Sequence, residues 1–326
     1  MFSFLFTYRV VPDGSILIGD STFHYALYIG LLAIIIYIFI RYQTRSLTGA
    51  RKLLREKEAA YDEIARQREE LESKNRSITD SLIYASYIQA ALLPSEAYFK
   101  KLLPDSFIFF KPKDIVSGDF YWIRETADKL YIVAADCTGH GVPGAFMSMI
   151  GVELLNKIII DQKMEDPAMI LSVMSKGIAR TFSGVNEGPK SLKDGMDLGM
   201  CVIDRGSSGL LYAGAFFPLY ILRDNKLIEI KGDRLSVGMT DSVEFTCSEF
   251  QLEKDDVIYM FSDGYTDQFG GPHDKKFMYR RFRHLLLAIH KFPFREQKSI
   301  LSDSISSWRG EYEQVDDLMV IGFRPF

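Results

Sequence analysis

Four acidic positions stand where the chain changes direction. Asp119 lies in Val116-Ser-Gly-Asp-Phe-Tyr, and Asp136 closes an apolar run and precedes Cys137-Thr-Gly-His-Gly. Asp263 follows Val257-Ile-Tyr-Met-Phe-Ser and precedes Gly264, and the pair Asp316-Asp317 opens the last apolar run. Any one of them alone is an ordinary turn former or helix cap. Together, two closing apolar strands and one opening another, they can aim several carboxylates at one end of a sandwich. Clustered carboxylates repel, so such a site is stable mainly when cations occupy it. Oxygen-only donors suit Mg²⁺ or Mn²⁺ rather than zinc. Two such ions about 3.5–4 Å apart can hold a phosphoryl oxygen and turn a bridging water into a nucleophile near neutral pH. The thiol route to phosphate hydrolysis is excluded. A Cys-x5-Arg loop needs arginine six residues after cysteine, and those positions hold Pro143, Ser207 and Glu253.

The elements that must position these groups are short and β-rich. Strands are expected at 107–111, 116–123, 130–136, 198–204, 210–213, 219–222, 226–230, 245–252, 257–262 and 318–323, with helices near 143–161, 166–183, 276–290 and 295–309. Successive strands with brief turns imply antiparallel sheets, and the helices enter as blocks. The fold class expected is α+β, a two-sheet antiparallel β-sandwich flanked by helices, over residues 95–326.

Ahead of it the pattern differs. Residues 23–40 (FHYALYIGLLAIIIYIFI) carry no formal charge and show no polar stripe. That length suffices to cross roughly 30 Å of hydrocarbon as a transmembrane helix. Arg41, Arg45, Arg51 and Lys52 follow it and only Arg9 precedes it, which places the C-terminal bulk in the cytoplasm. The expectation is a single-pass protein of the inner (cytoplasmic) membrane with a short extracytoplasmic segment over 1–22. Residues 41–94 then read as a linker helix ended by Pro94. An apolar heptad row runs Ile64, Leu71, Ile78, Ala85, Leu92, and a weaker row (Leu53, Ala60, Ile88) is broken by Gln67, Lys74 and Ser81. This is a coiled coil of middling quality, fitting a parallel homodimer.

The 326 residues are 47% hydrophobic with a formal charge of −4, enough for one large domain with accessory segments and without a nucleic-acid footprint. Three scattered cysteines form neither a disulfide framework nor a zinc site.

VSGDFYW, DCTGHGVPGAFMSMIG, SDGYTDQFGG and VDDLMVIGF occur in the order and approximate spacing of the SpoIIE/RsbU-type bacterial phosphatases. These are a branch of the metal-dependent protein phosphatase (PPM, protein phosphatase 2C-like) family. SLIYASYIQAALLPS also resembles the helix leading into the domain in that branch, so the resemblance covers about Ser81 to Phe326. It implies Asp136 as the carboxylate bridging two Mn²⁺ or Mg²⁺ ions beside the Cys137 backbone carbonyl. It further implies Asp119, Asp263 and Asp316 as the remaining metal and catalytic aspartates. Asp317 is either a support to these ligands or an alternative ligand. Thr138 holds the place where the wider family has a histidine, and His140 lies four residues after the bridging aspartate. Spacing favours a structural role beside the ligands for His140 over proton donation. Lys113 is the best-placed candidate for a phosphate contact, against the commoner reading of such a residue as a solvated surface lysine. Asp194 and Asp197 read either as site-adjacent or as turn residues. Residues 184–195 suggest a substrate flap.

The resemblance thus implies a serine/threonine protein phosphatase acting on a phosphorylated regulatory protein, such as an anti-sigma-factor antagonist, and regulated through the coiled coil. The competing reading is a catalytically inactive pseudo-phosphatase scaffold, which predicts missing metal carboxylates. A nucleotidyl cyclase shares the anchor and the helix but would carry a GGDEF-like run, which this sequence does not have.

Overall fold

The computed structural model describes residues 8–10, 12, 16–18, 21–183, 194–240 and 243–326. Most of the expected N-terminal segment over 1–22 and most of the expected flap over 184–195 lie outside the described residues. The chain divides into two compact units, Met1–Ser77 and Ile78–Phe326.

In the first unit, β1 (Tyr8–Val10) pairs antiparallel with β2 (Ile16–Ile18), and helix α1 (Ser21–Leu92) begins. Every residue from Phe23 to Asp62 is exposed. Among them Ile34, Ile38 and Phe39 are bare apolar side chains with more than half of their surface open. The helix is long and apolar enough here to cross a membrane, by length and composition. Further along, Arg68–Glu72 and Lys74–Glu70 pair across one turn at 2.8 and 2.7 Å, the spacing that supports a solvated helix. Ile64 and Leu71 of the heptad row are exposed.

The second unit takes in the end of α1 and then α2 (Glu96–Leu102), β3 (Ser106–Lys111), β4 (Phe120–Thr126) and β5 (Lys129–Cys137). Helix α3 (Val142–Leu155) runs on as a π-helical turn over Asn156–Asp161, and α4 (Pro167–Ser183) follows. Next come β6 (Met196–Asp204), β7 (Gly209–Ala215), β8 (Leu219–Arg223), β9 (Lys226–Ile230), β10 (Ser248–Gln251) and β11 (Val257–Phe261). After the short α5 (Gly264–Asp267) and the two-residue strands β12 (Phe269–Gly270) and β13 (Lys275–Lys276), the chain ends with α6 (Met278–Ile289), α7 (Phe294–Arg309) and β14 (Leu318–Phe323).

The long strands form two five-stranded sheets, ordered β10-β7-β6-β5-β4 and β3-β14-β11-β8-β9, with every pairing antiparallel. Side chains alternate across a strand, and here both faces are covered. On β5, Leu130, Ile132 and Ala134 enter the core between the sheets, while Tyr131, Val133, Ala135 and Cys137 pack under α3 and α4. On β11, Ile258 and Met260 point inward, and Val257, Tyr259 and Phe261 pack against α6 and α7. This double burial explains why the strands read as continuous apolar runs. The 20-residue stretch Val142–Asp161 also passes the length and hydropathy test for a membrane span, but half of it is buried in the domain as core helix.

One expected strand starts late. Val116–Asp119 is not paired with β5, and β4 begins at Phe120. The backbone N–H groups of Ser117, Gly118 and Asp119 go instead to the side chains of Gln89 and Asp317. Side-chain acceptors thereby replace the ladder, and the segment becomes a fixed turn.

Ile132 has no exposed surface. Truncating it to Ala should cost about 2–5 kcal/mol and to Val about 0.5–1.5 kcal/mol, read from denaturant midpoints of the two variants.

Candidate active site

Strand register carries the acidic positions to one end of the sandwich. Asp136, next to last in β5, lies opposite Asp197 of β6, and its neighbour Ala135 lies opposite Phe120, which follows Asp119. In the second sheet Asp263 follows β11 and Asp316 precedes β14, and these two strands pair Phe261 with Val320. Asp136, Asp197, Asp263 and Asp316 line one cleft of about 240 Å³ with Cys137, Thr138, Gly139, His140 and Ser236. Asp119 lies deeper, 1% exposed, and its Oδ2 has no hydrogen-bond partner.

The electrostatics follow from this crowding. Burial, then the charge of Asp136, holds the Asp119 carboxyl well above the usual range. Burial, then Asp263 and Asp316, pushes Asp136 up to about 8. Burial, then Asp267 and Asp316, raises Asp263 to about 6. Asp316 and Asp197 are also raised, chiefly by burial. Each carboxylate therefore resists ionising beside the others. The Cys137 thiol is driven up by full burial and then by Asp136, so it is no nucleophile.

Around the cleft, fixed hydrogen bonds set the loops. Asp317 is 2% exposed; its Oδ1 accepts from Lys113 N at 2.7 Å, and its Oδ2 from Gly118 N at 2.8 Å and Asp119 N at 3.3 Å. Both oxygens are thus committed to the loop that carries Asp119. The adjacent Asp316 keeps Oδ1 near home, accepting from Asp317 N at 2.8 Å. Gly264 must be glycine, because a Cβ there would come 2.0 Å from the Asp317 carbonyl oxygen. Thr138 bridges to Gly195, its N–H donating to the carbonyl at 2.9 Å and its Oγ1 accepting from the amide at 3.3 Å. Lys113 and His140 both draw the Asp316 carboxyl down by their charge. His140 Nδ1 lies 2.8 Å from Asp114 Oδ2.

Among the described residues, no three His, Cys, Asp or Glu side chains form a ready metal-holding group. The chemistry of the donor set nonetheless fits hard divalent cations. An orphaned carboxylate oxygen on Asp119 and several mutually raised carboxylates beside it are groups that bound cations would satisfy. Oxygen donors of this kind match Mg²⁺ or Mn²⁺.

The Stage II sporulation protein E (SpoIIE) family model matches residues 126–325. The chain belongs to the SpoIIE family. The SiaA-PP2C domain of Pseudomonas aeruginosa is similar to this SpoIIE-family chain at 36% identity, covering 77% of this chain and 98% of the domain with a TM-score of 0.70. Phosphoserine phosphatase RsbU of Bacillus subtilis (strain 168) is 25% identical over 199 residues, 59% of this chain and 55% of RsbU. Stage II sporulation protein E of Priestia megaterium is 29% identical over 158 residues, 48% of this chain and 25% of that protein. The chain thus spans between a quarter and about half of the length of these two curated relatives. The α+β two-sheet fold of this family member is that of the PP2C-type domains.

The aspartates chosen from sequence, Asp136, Asp263 and Asp316, meet in the cleft, with Asp119 beneath. Asp197 was legible only as site-adjacent or a turn residue. Its place opposite Asp136, with Ser236 Oγ donating to it at 2.6 Å, depends on a register that no local signal reveals. Asp114 carries no motif that would have singled it out, and Gln89 falls within SLIYASYIQAALLPS without a role of its own being legible there.

A carboxyl raised in the folded state binds its proton more tightly there than the unfolded value of about 3.9. The stability Asp136 contributes is therefore fully present below about pH 4 and is lost as pH rises through its folded value of about 8. In chelator, Asp136→Asn should melt higher relative to the parent at pH 8 than at pH 5, and Mn²⁺ should raise the parent more than the variant. Thermal melts of the two proteins at both pH values check this.

Proposed function

We propose that this chain is a metal-dependent phosphatase that hydrolyses phosphoserine or phosphothreonine on a regulatory protein. The observation that carries the reading is the convergence of carboxylates from β5, β6, the end of β11, the start of β14 and the turn before β4 at one cleft. The name of RsbU, a phosphoserine phosphatase, supports the substrate class. Asp119, Asp136, Asp263, Asp316 and the Cys137 carbonyl would hold two Mn²⁺ or Mg²⁺ ions. When bound, such ions supply Lewis-acid charge to a phosphoryl group and make water acidic enough to attack it. The chain's own part is positional. Asp317 holds the Lys113–Asp119 loop, and Thr138 ties the end of β5 to Gly195, so the ligand-bearing ends cannot drift independently. An anti-sigma-factor antagonist or similar signalling protein is the proposed substrate. With Mn²⁺, the full chain should hydrolyse p-nitrophenyl phosphate. Chelator or Asp136→Asn should lower kcat by about 100-fold or more, because several kcal/mol of charge stabilisation would go with the ions. Undiminished turnover in chelator would sink the two-metal reading.

The domain division proposed is an N-terminal segment over 1–22, a membrane span over 23–40, a linker helix over 41–94 and a phosphatase domain over 95–326. The anchor would be single-pass with the phosphatase in the cytoplasm, and the linker would pair as a homodimer. The exposed Ile64, Leu71 and Ile78 support pairing. Regulation through this helix has a physical handle in Gln89, 7% exposed near the end of α1. Its amide donates to Ser117 O at 2.6 Å and Ser148 Oγ at 2.8 Å, and its Oε1 accepts from Ser117 N at 3.1 Å. A shift of the helix end would thus act directly on the turn holding Asp119 and on α3. Fusing a strong zipper upstream of Ile78 in successive helical phases should make turnover vary with phase. Indifference to phase would count against this regulation.

A further inference from the structure

The stretch of α1 that follows the apolar run holds positive charge that the helix itself does not answer. From Ser21 to Arg55 the chain has no Asp or Glu, while Arg41, Arg45, Arg51, Lys52 and Arg55 follow one another closely. Helical spacing of about 100° per residue puts Arg41, Arg45, Lys52 and Arg55 inside one arc of about 80°. Leu53, of the weaker heptad row, lies about 120° round from Arg41, so the basic stripe occupies a different face. All of these side chains are exposed. Lys52 has Glu56 at 3.8 Å, an open pair that adds little. None of the four arginines makes an ion pair among the described residues. The Arg41 guanidinium stands 5.9 Å from the centroid of the Tyr37 ring one turn earlier, an aromatic–cation pair of the kind suited to a membrane boundary.

Distance along the axis divides the stripe. At about 1.5 Å per residue, Arg45 lies about 6 Å beyond Arg41 and Arg55 about 21 Å beyond it. The headgroup layer on each side of the hydrocarbon is about 5–8 Å thick, and salt screens charge beyond about 8 Å. An upright helix therefore sets Arg41 and Arg45 among headgroups and leaves Lys52 and Arg55 out of reach. Between the two pairs stand Thr44, Thr48 and Gly49. Thr44 Oγ1 donates to Ile40 O at 2.7 Å, and Thr48 Oγ1 to Thr44 O at 3.0 Å and Arg45 O at 2.8 Å. Hydroxyls bonded back in this way compete for helix carbonyls and ease bending. Gly49 is a poor helix former, and a Cβ there would meet nothing within 4 Å, so packing does not require it. A pliant point thus separates the pair that reaches the headgroups from the pair that does not.

We propose that Arg41, Arg45, Lys52 and Arg55 form a binding surface for anionic phospholipid headgroups, a reading that rests on the membrane span proposed over 23–40. Arg41 and Arg45 hold phosphodiester oxygens beside the upright helix, each guanidinium able to take two at once. Leaning at Thr44–Gly49 brings Lys52 and Arg55 to the same surface. An anionic leaflet therefore favours the leaning helix, and a zwitterionic leaflet the upright one. Phosphatidylcholine offers the same phosphate but cancels its charge with choline, so the stripe discriminates by the net charge of the headgroup.

The test uses the full chain reconstituted in phosphatidylcholine vesicles with a trace of spin-labelled phosphatidylglycerol or spin-labelled phosphatidylcholine. The ratio of motionally restricted to free label gives the relative affinity of each lipid for the protein. At low salt the parent should prefer phosphatidylglycerol by about fivefold or more, a single basic residue near the surface being worth about that much. The preference should fall in 1 M NaCl. Arg41→Gln with Arg45→Gln should bring it under about twofold, while Arg68→Gln, further along the same helix, should leave it unchanged. Gly49→Ala, which stiffens the helix, should lower the preference as much as Lys52→Gln with Arg55→Gln, and should add nothing to that pair. Circular dichroism should show the same helix content in every variant. Equal affinity for the two lipids in the parent, or a preference untouched by Arg41→Gln with Arg45→Gln, would overturn the proposal. So would loss of the preference to inorganic phosphate at matched ionic strength, which would make the stripe a site for free phosphate. A parent stripped from the vesicles by alkaline carbonate would overturn the membrane span beneath it.

Discussion

Negative charge is concentrated where the two sheets end, and the rest of the domain is arranged around that repulsion. Five aspartates meet there, four lining the cleft and Asp119 beneath. Burial raises each of them before any neighbour adds its charge. A fold tolerates such a cluster when rigid elements hold it together and cations relieve it. The rigid elements here are paired strands buried on both faces, and the carboxylates sit on these strands or close to their ends.

The turn before β4 shows how the repulsion is contained. Asp119 cannot rely on a strand ladder, because Val116–Asp119 is unpaired with β5. Asp317 takes its place, accepting from three backbone amides and so spending its own charge on hydrogen bonds. A carboxylate satisfied in that way is anchored. Its neighbour Asp316 keeps its second oxygen for the cleft. Adjacent residues of the same type therefore do different work, and Gly264 makes room for both by its close approach to the Asp317 carbonyl.

The same turn is the meeting point of α1 and the site. Gln89 satisfies both backbone groups of Ser117 and the hydroxyl of Ser148. A buried amide with all these partners is costly to displace, so any movement of the helix end has to be shared by the Asp119 turn. Beside the cleft, Asp114 of the loop after β3 meets His140 of the loop after β5. The site is thus flanked by the end of α1 and by a half-exposed acid–histidine pair.

The sequence by itself determined the carboxylates and their carriers. Asp136 and Asp263 end apolar runs, Asp316 opens one, and apolar stretches bounded by glycine and proline turns mark the strands closely. These are local signals, set by side-chain periodicity and turn chemistry, and a linear reading captures them. Only the tertiary structure decided which residues face them. Asp197 reaches Asp136 through the β5–β6 register. Asp317 reaches Lys113 and Gly118 across about 200 residues of chain. Gln89 reaches Ser148, and Asp114 reaches His140, by the same means. Each is a non-local hydrogen bond or strand pairing, created when two sheets close over one core, and no periodicity in the chain records it.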